Sequence, residues 1–142
     1  MGKIEGDMAN MEFTLNIEPK TIQSGLRFSS KGERPRVFRN SSSKAYVREL
    51  IFASKQYAKE QIQGPLRCDV TFVLRRPQRL KASGRQPAPV RPDRDNLLKP
   101  LQDALTQAMF WVDDSQIVAG ETLKLYAGKT EKPCIEVKIT KL

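Results

Sequence analysis

The chain has 142 residues, of which 39% are hydrophobic and 29% are charged, enough apolar material for the core of one domain. Lysine and arginine total 25 against 16 acidic residues, a net charge of +9, and such a basic balance is typical of a protein that binds a polyanion. The chain has no histidine and only two cysteines. This composition excludes imidazole catalysis, histidine metal sites, four-cysteine zinc sites and a disulfide scaffold.

The apolar runs fall well short of the roughly 18 residues that a membrane-spanning helix needs, so no contact with a membrane is expected. Residues 1–10 lack the apolar segment of a secretory signal. We interpret them as a flexible leader to a single domain over residues 11–142. With few cysteines and no signal, the expected location is a reducing cytoplasm.

Three elements are predicted in the first half of the chain. Apolar and polar residues alternate over 12–18, which predicts a half-buried strand. A short strand is predicted at 36–39, within a polar and basic segment. The serines at 41–43 are candidate N-caps for a helix over 44–62, whose apolar residues form one stripe.

Apolar periodicity predicts four further elements, which are strands over 66–75, 117–125 and 135–139 and a helix over 96–109. Cys68 shares the apolar face of its strand and is predicted to be a core residue. Pro100 is expected to make the first turn of its helix irregular or kinked. Residues 128–132 are predicted to form a hairpin between the last two strands. Two helices and one small mixed sheet predict an α+β domain.

Two stretches concentrate the positive charge, at 27–44 and 75–91, and both are rich in Gly, Pro or Ser. They are therefore predicted to be loops. Flexible basic loops suit contacts to phosphates, which position a nucleic acid without reading its bases. The candidate DNA-binding residues of the second stretch are Arg75, Arg76, Arg79, Lys81, Arg85 and Arg91.

Asp93 and Asp95 flank Arg94 just before the second predicted helix. In extended backbone, positions i and i+2 project to the same side, so the two carboxylates converge and favour a divalent cation between them. A third acid is expected from the Asp113–Asp114 pair at the other end of that helix. The alternative is structural, with Asp95 as an N-cap and the later pair as a polar turn.

Lys99 follows Asp95 by four residues and precedes Asp103 by four. In a functional role, its ammonium group stabilises the charge that develops on a phosphate during cleavage. In the structural alternative, it forms an exposed pair with Asp103 worth a few tenths of a kcal/mol.

Several of these residues stand in a fixed pattern. The strings D-R-D-N-L-L-K at 93–99, D-A-L at 103–105 and F-W-V-D-D-S-Q-I-V at 110–118 together resemble the signature of the RusA family of Holliday junction resolvases. The resemblance is tight over 92–118 and extends in element order over 12–141. The proline-rich basic loop before Asp93 is longer than the family pattern leads one to expect.

The resemblance implies a small α+β domain that works as a homodimer on branched DNA, above all four-way junctions, in recombination and repair. It implies cleavage that depends on Mg²⁺, with Mn²⁺ able to substitute. The family's metal ligands fall on Asp93, Asp95 and Asp114, and its active-site lysine falls on Lys99. A two-fold dimer would match the symmetry of a four-way junction and permit paired nicks.

Two rival hypotheses remain open at this stage. The basic surface alone also fits a non-catalytic DNA- or RNA-binding module, in which the aspartates are only caps and turns. Alternatively, Pro92-Asp93 and Glu136-Val137-Lys138 loosely resemble the motif of PD-(D/E)xK nucleases. That hypothesis makes Glu136 essential for cleavage, whereas the resolvase hypothesis does not.

Overall fold

The computed structural model of the chain describes residues 10–21 and 41–142. In chain order its elements are β1 (Asn10–Leu15), α1 (Ser41–Lys55), β2 (Leu66–Leu74), β3 (Gln86–Pro87), α2 (Arg94–Gln107), a 3₁₀ turn (Asp114–Gln116), β4 (Ile117–Ala119), β5 (Thr122–Tyr126) and β6 (Cys134–Lys141). The α+β prediction is confirmed. The leader over 1–9 and the strand at 36–39 lie outside the described residues, whereas Asn10 already belongs to β1.

The described strands form one mixed sheet in the order β1-β6-β2-β5-β3, with β4 beside the start of β2. β2 is the central strand because it pairs along its length with antiparallel β6 and, over 70–74, with parallel β5. The hairpin predicted at 128–132 is therefore wrong. β5 and β6 lie on opposite sides of β2, and the segment between them crosses over that strand.

Both helices pack against one face of the sheet and form a continuous core with it. Trp111, Phe72 and Leu105 are among its fully buried side chains. Cys68 is also buried there, which confirms its predicted place on the apolar face of β2. Phe13 of β1 stacks on Phe110 with ring centroids 5.3 Å apart, which ties the edge of the sheet to the segment after α2.

The two helices differ from their predicted bounds in opposite ways. α1 ends at Lys55 rather than at residue 62, because the chain turns there and Tyr57 stacks on Phe13 with centroids 5.0 Å apart. α2 runs unbroken through Pro100, whose ring is buried in the core. The expected irregular first turn is absent, since the Leu97 N–H donates to the Asp93 carbonyl at 3.2 Å. Neither of these helices, the two in the described part of the chain, is long and apolar enough to cross a membrane.

The single strand predicted over 117–125 is two strands, separated at Gly120. Gly120 has a φ of 157°, and a Cβ built on it would lie 2.0 Å from the carbonyl oxygen of Cys68. The chain therefore passes against the central strand at a point where only glycine fits. This break carries the start of β5 towards the N-terminus of α2.

Candidate active site

Asp93 and Asp95 stand at the start of α2, with both side chains exposed to solvent. Asp93 occupies the N-cap position, yet its carboxylate makes no capping hydrogen bond. Asp95 lies inside the first turn, so its interpretation as the N-cap is wrong. The helix end uses neither carboxylate in a capping bond, although a negative charge at this end is favoured by the helix dipole.

Two long cations fix the backbone around this acid pair. The Arg94 guanidinium donates to the carbonyl of Thr122 at 3.1 Å. The Lys124 ammonium donates to the carbonyls of Val90 and, at 2.8 Å, Pro92. The segment that enters α2 is thus held against β5. Neither positioning role was predicted, because a side chain that reaches a distant backbone carbonyl leaves no periodic signal in the sequence.

The pair borders an open depression of about 640 Å³ between the start of α2 and the start of β5. Its lining residues are Asp93, Arg94, Asp95, Leu98, Gly120, Thr122 and Lys124. Carboxylate oxygens are the ligands that Mg²⁺ prefers, and this ion commonly uses one or two carboxylates while keeping several waters. The donor chemistry of the pair therefore fits a hard divalent cation.

The second acidic motif divides its carboxylates between two tasks. Asp113 caps the 3₁₀ turn, accepting from the Ser115 N–H at 3.0 Å. Gln116 completes a capping box and also donates to the carbonyls of Ile62 and Gly64, each at 2.9 Å. The D-x-x-Q spacing is a recognisable signal for such a box. Asp114 is left as the acid of this motif that the turn does not use as its cap.

The charge state of Asp114 reflects its neighbours. The hydrogen bond with Asp113, followed by burial and the nearby negative charges, raises the pKa of Asp114 above its ordinary value. Asp103 adds to this effect, and the positive charge of Lys99 opposes it. The 3₁₀ turn that carries Asp114 contacts α2.

Asp93 and Asp95 line one depression, and Asp114 is not among the residues that line it. Among the described residues, no group of three or more Asp, Glu or Cys side chains could hold a metal ion. The assignment of Asp93, Asp95 and Asp114 to one metal site therefore stays a prediction.

Lys99 is exposed on α2, about one turn after Asp95. The structural alternative placed it in an ion pair with Asp103. No such pair occurs among the salt bridges of residues 10–21 and 41–142. The role of Lys99 as a charge-stabilising residue stays a prediction.

The basic loop before Asp93 contains two kinds of cation. Arg85 binds Glu131 and Glu136 together, with a contact of 2.8 Å to the latter. Arg76 donates to backbone carbonyls of the loop and of Ala127, and Arg75 pairs with Glu18 at 3.0 Å. The side chains of these three arginines are thus engaged in contacts within the protein. The remaining candidates for phosphate contact are exposed, namely Arg79, Lys81 and Arg91.

Glu136 and Lys138 lie away from the depression, on the face of the sheet opposite the helices. They line a separate groove of about 470 Å³ together with Asp69 and Glu121. Two hydrogen bonds from Arg85 occupy the Glu136 carboxylate and hold its pKa below the usual range. This arrangement disfavours the PD-(D/E)xK hypothesis, which needs Glu136 beside Asp93.

Comparisons with known proteins agree with the motif and cover most of the chain. The family model described as Endodeoxyribonuclease RusA matches residues 17–140. A crossover junction endodeoxyribonuclease (rusA) of Lactococcus phage r1t is 33% identical over 131 residues, which cover 92% of this chain and 96% of the phage protein.

Proposed function

The chain belongs to the RusA family of endodeoxyribonucleases, and on that premise we propose that it resolves four-way DNA junctions by metal-dependent hydrolysis. The observation that carries the proposal is the Asp93–Asp95 pair. Both carboxylates are exposed, neither makes a capping bond, and both border one open depression. An acid at the N-cap position with a purely structural role, such as Asp93, would be expected to cap the helix.

Asp93 and Asp95 are the residues that would hold a Mg²⁺ or Mn²⁺ ion. Such an ion supplies Lewis acidity, which withdraws charge from a phosphate oxygen and makes a water molecule more acidic. Lys99 places a fixed positive charge one turn further along α2, where it stabilises the charge that builds up on the phosphate. Because the chain has no histidine, proton removal falls to a carboxylate or to water.

Asp114 is the third carboxylate that would hold the ion in this proposal, although it is not among the residues that line the depression. The variant Asp114→Asn tests this assignment. Cleavage is expected to fall by about 10²-fold or more, and Mn²⁺ affinity, measured by titration calorimetry, is expected to fall with it. Lost cleavage with unchanged Mn²⁺ affinity would instead assign Asp114 to the attacking water.

A homodimer is the second part of the proposal, because paired nicks need two sites related by symmetry. A plasmid that extrudes a cruciform distinguishes the possibilities. A dimer that nicks both strands within one encounter yields linear plasmid directly, whereas a single site yields nicked circles first. Sedimentation velocity of the free protein measures the assembly independently.

The proposed activity is tested with a four-way junction of synthetic strands beside a linear duplex of the same arms. We expect cleavage of the junction with Mg²⁺ or Mn²⁺, little cleavage of the duplex, and none in EDTA. A protein that binds the junction yet cuts no branched DNA with either metal would be the non-catalytic binding module. Affinity should fall steeply with salt in either case, because exposed cations such as Arg79 and Lys81 contact phosphates.

A further inference from the structure

Phe52 on α1 is the most exposed large apolar residue in the described part of the chain, with 85% of its surface accessible. The opposite side of the same helix is in the core, where Leu50 is fully buried. A single exposed apolar side chain is ordinary on a protein surface. The significance of Phe52 therefore depends on what surrounds it.

The surroundings of Phe52 carry a net positive charge, from three cations against the exposed acid Glu49. Arg48 precedes it by four residues and Lys55 follows it by three, so both lie on the same helix face. Lys44 extends that face by one more turn, and all three cations are exposed. None of them takes part in the salt bridges found between described residues. We call Lys44, Arg48, Phe52 and Lys55 the α1 ridge.

The α1 ridge adjoins the candidate active site. Lys44 and Arg48 line a groove of about 200 Å³ between the two helices, and Asp103 of α2 lines it from the other side. Asp103 follows Lys99 by four residues on α2, so the two lie on the same helix face. DNA whose phosphate lies at Lys99 would therefore pass next to the ridge.

Charge also selects this side of the molecule for a polyanion. The opposite, open face of the sheet carries the acids Glu12, Asp69, Glu121 and Glu136. Cations in salt bridges offset the charge of three of them, whereas the cations of the ridge take part in none of the salt bridges between described residues. A DNA backbone is therefore attracted more strongly to the ridge. A dimer whose two-fold axis passes through the ridge is disfavoured, because it would place the lysines and arginine against their own equivalents.

We propose that the α1 ridge holds the branch point of the DNA, with Lys44 and Arg48 on phosphates and the Phe52 ring stacked on a base exposed there. This inference rests on the proposed function and names a specificity determinant for it. An apolar wedge must unstack a base step, which costs less where the stack is already interrupted. Phe52 should thus contribute to the binding of junctions and hardly to that of linear duplex.

The test compares wild type with Phe52→Ala, Phe52→Trp and the control Leu142→Ala, which trims an apolar residue with 59% exposure at the C-terminus. Binding is measured in EDTA on a four-way junction carrying 2-aminopurine beside the branch point. We expect Phe52→Ala to lose about 10-fold in junction affinity, to change duplex affinity less than twofold, and to abolish the rise in fluorescence. Phe52→Trp and Leu142→Ala should behave like wild type.

Unchanged junction affinity and fluorescence in Phe52→Ala would overturn the inference. A shift of Phe52→Ala from dimer to monomer in sedimentation velocity would also overturn it, by placing a second copy on the ridge. These outcomes are separate from failure of the proposed function. If wild type cuts junctions and Phe52 makes no contribution, only the proposed role of the α1 ridge is refuted. If wild type never cuts DNA, the proposed nuclease activity is refuted.

Discussion

Replacing Gly120 with alanine should destabilise the protein severely, because this residue meets the central strand without room for a side chain. The atoms that face it belong to backbone: a Cβ would lie 2.0 Å from the Cys68 carbonyl oxygen and 2.9 Å from its carbon. Ordinary contact begins near 3.4 Å, so the two strands would have to separate by more than an ångström. Cys68 cannot move alone, since β2 is paired on both of its sides.

Two costs add in Gly120→Ala. A residue other than glycine at a φ of 157° is strained by about 1–3 kcal/mol, and forcing extra volume into a packed region costs about 1–3 kcal/mol more. We therefore expect a loss of about 4 kcal/mol in the free energy of unfolding. For a chain of this size, that corresponds to a fall of about 10–15 °C in the melting temperature.

Alanine substitutions at two other glycines serve as controls, one for backbone strain without steric overlap and one for neither. Gly64 has a φ of 78° but nothing within 4 Å of a built Cβ, whereas Gly84 has an unstrained φ and equally open space. Urea denaturation should show a loss of about 1 kcal/mol for Gly64→Ala and a change within about 0.5 kcal/mol for Gly84→Ala. A Gly120→Ala protein as stable as wild type, or no more destabilised than Gly64→Ala, would refute the reasoning.

Three further predictions concern stability and reactivity. The Arg85 guanidinium lowers the pKa of Glu131 to about 2. The Arg85–Glu131 ion pair therefore contributes fully to stability above pH 4.5, and this contribution is lost as the pH falls through about 2. In urea titrations from pH 6 to 2, Arg85→Met should lose less stability with falling pH than wild type. Burial raises the pKa of Cys68 to about 12, so iodoacetamide at pH 8 should leave this thiol unmodified until urea unfolds the chain, as peptide mass spectrometry would show. Trp111→Phe loses the 2.7 Å hydrogen bond from the indole to the Thr106 hydroxyl and should lower the urea midpoint by the equivalent of about 1–3 kcal/mol, with an unchanged slope.

The periodic parts of the fold could be predicted from the sequence, and the non-local parts could not. Alternation identified β2 and the apolar stripe identified α2, because both patterns record which side faces the core. The same patterns do not show which strands lie next to each other in the sheet. They predicted a hairpin between β5 and β6 because nothing local indicates that β2 lies between them, and they joined β4 to β5 because the close approach of Gly120 to Cys68 is a contact between distant segments.

In the candidate site too, local features could be predicted from the sequence and contacts between distant segments could not. The spacing argument for Asp93 and Asp95 assumed extended backbone, whereas Asp95 lies in the first turn of α2; both residues nevertheless border one depression. The sequence could not show where Asp114 lies relative to them, since that depends on the path of the chain after α2. The positioning contacts of Arg94 and Lys124 were missed because their partners are backbone carbonyls in other elements.

The central claim is that the Asp93–Asp95 pair performs metal-dependent hydrolysis of branched DNA. The most direct measurement is the single-turnover rate at which Asp95→Asn cuts a four-way junction in Mg²⁺, at enzyme concentrations that saturate the DNA. Glu60→Gln is the matched control, since it also neutralises an exposed acid but lies outside the depression. We predict that Asp95→Asn binds the junction at least as tightly as wild type and cuts it at least 100-fold more slowly, while Glu60→Gln cuts at the wild-type rate. Cleavage by Asp95→Asn at the wild-type rate would contradict the account.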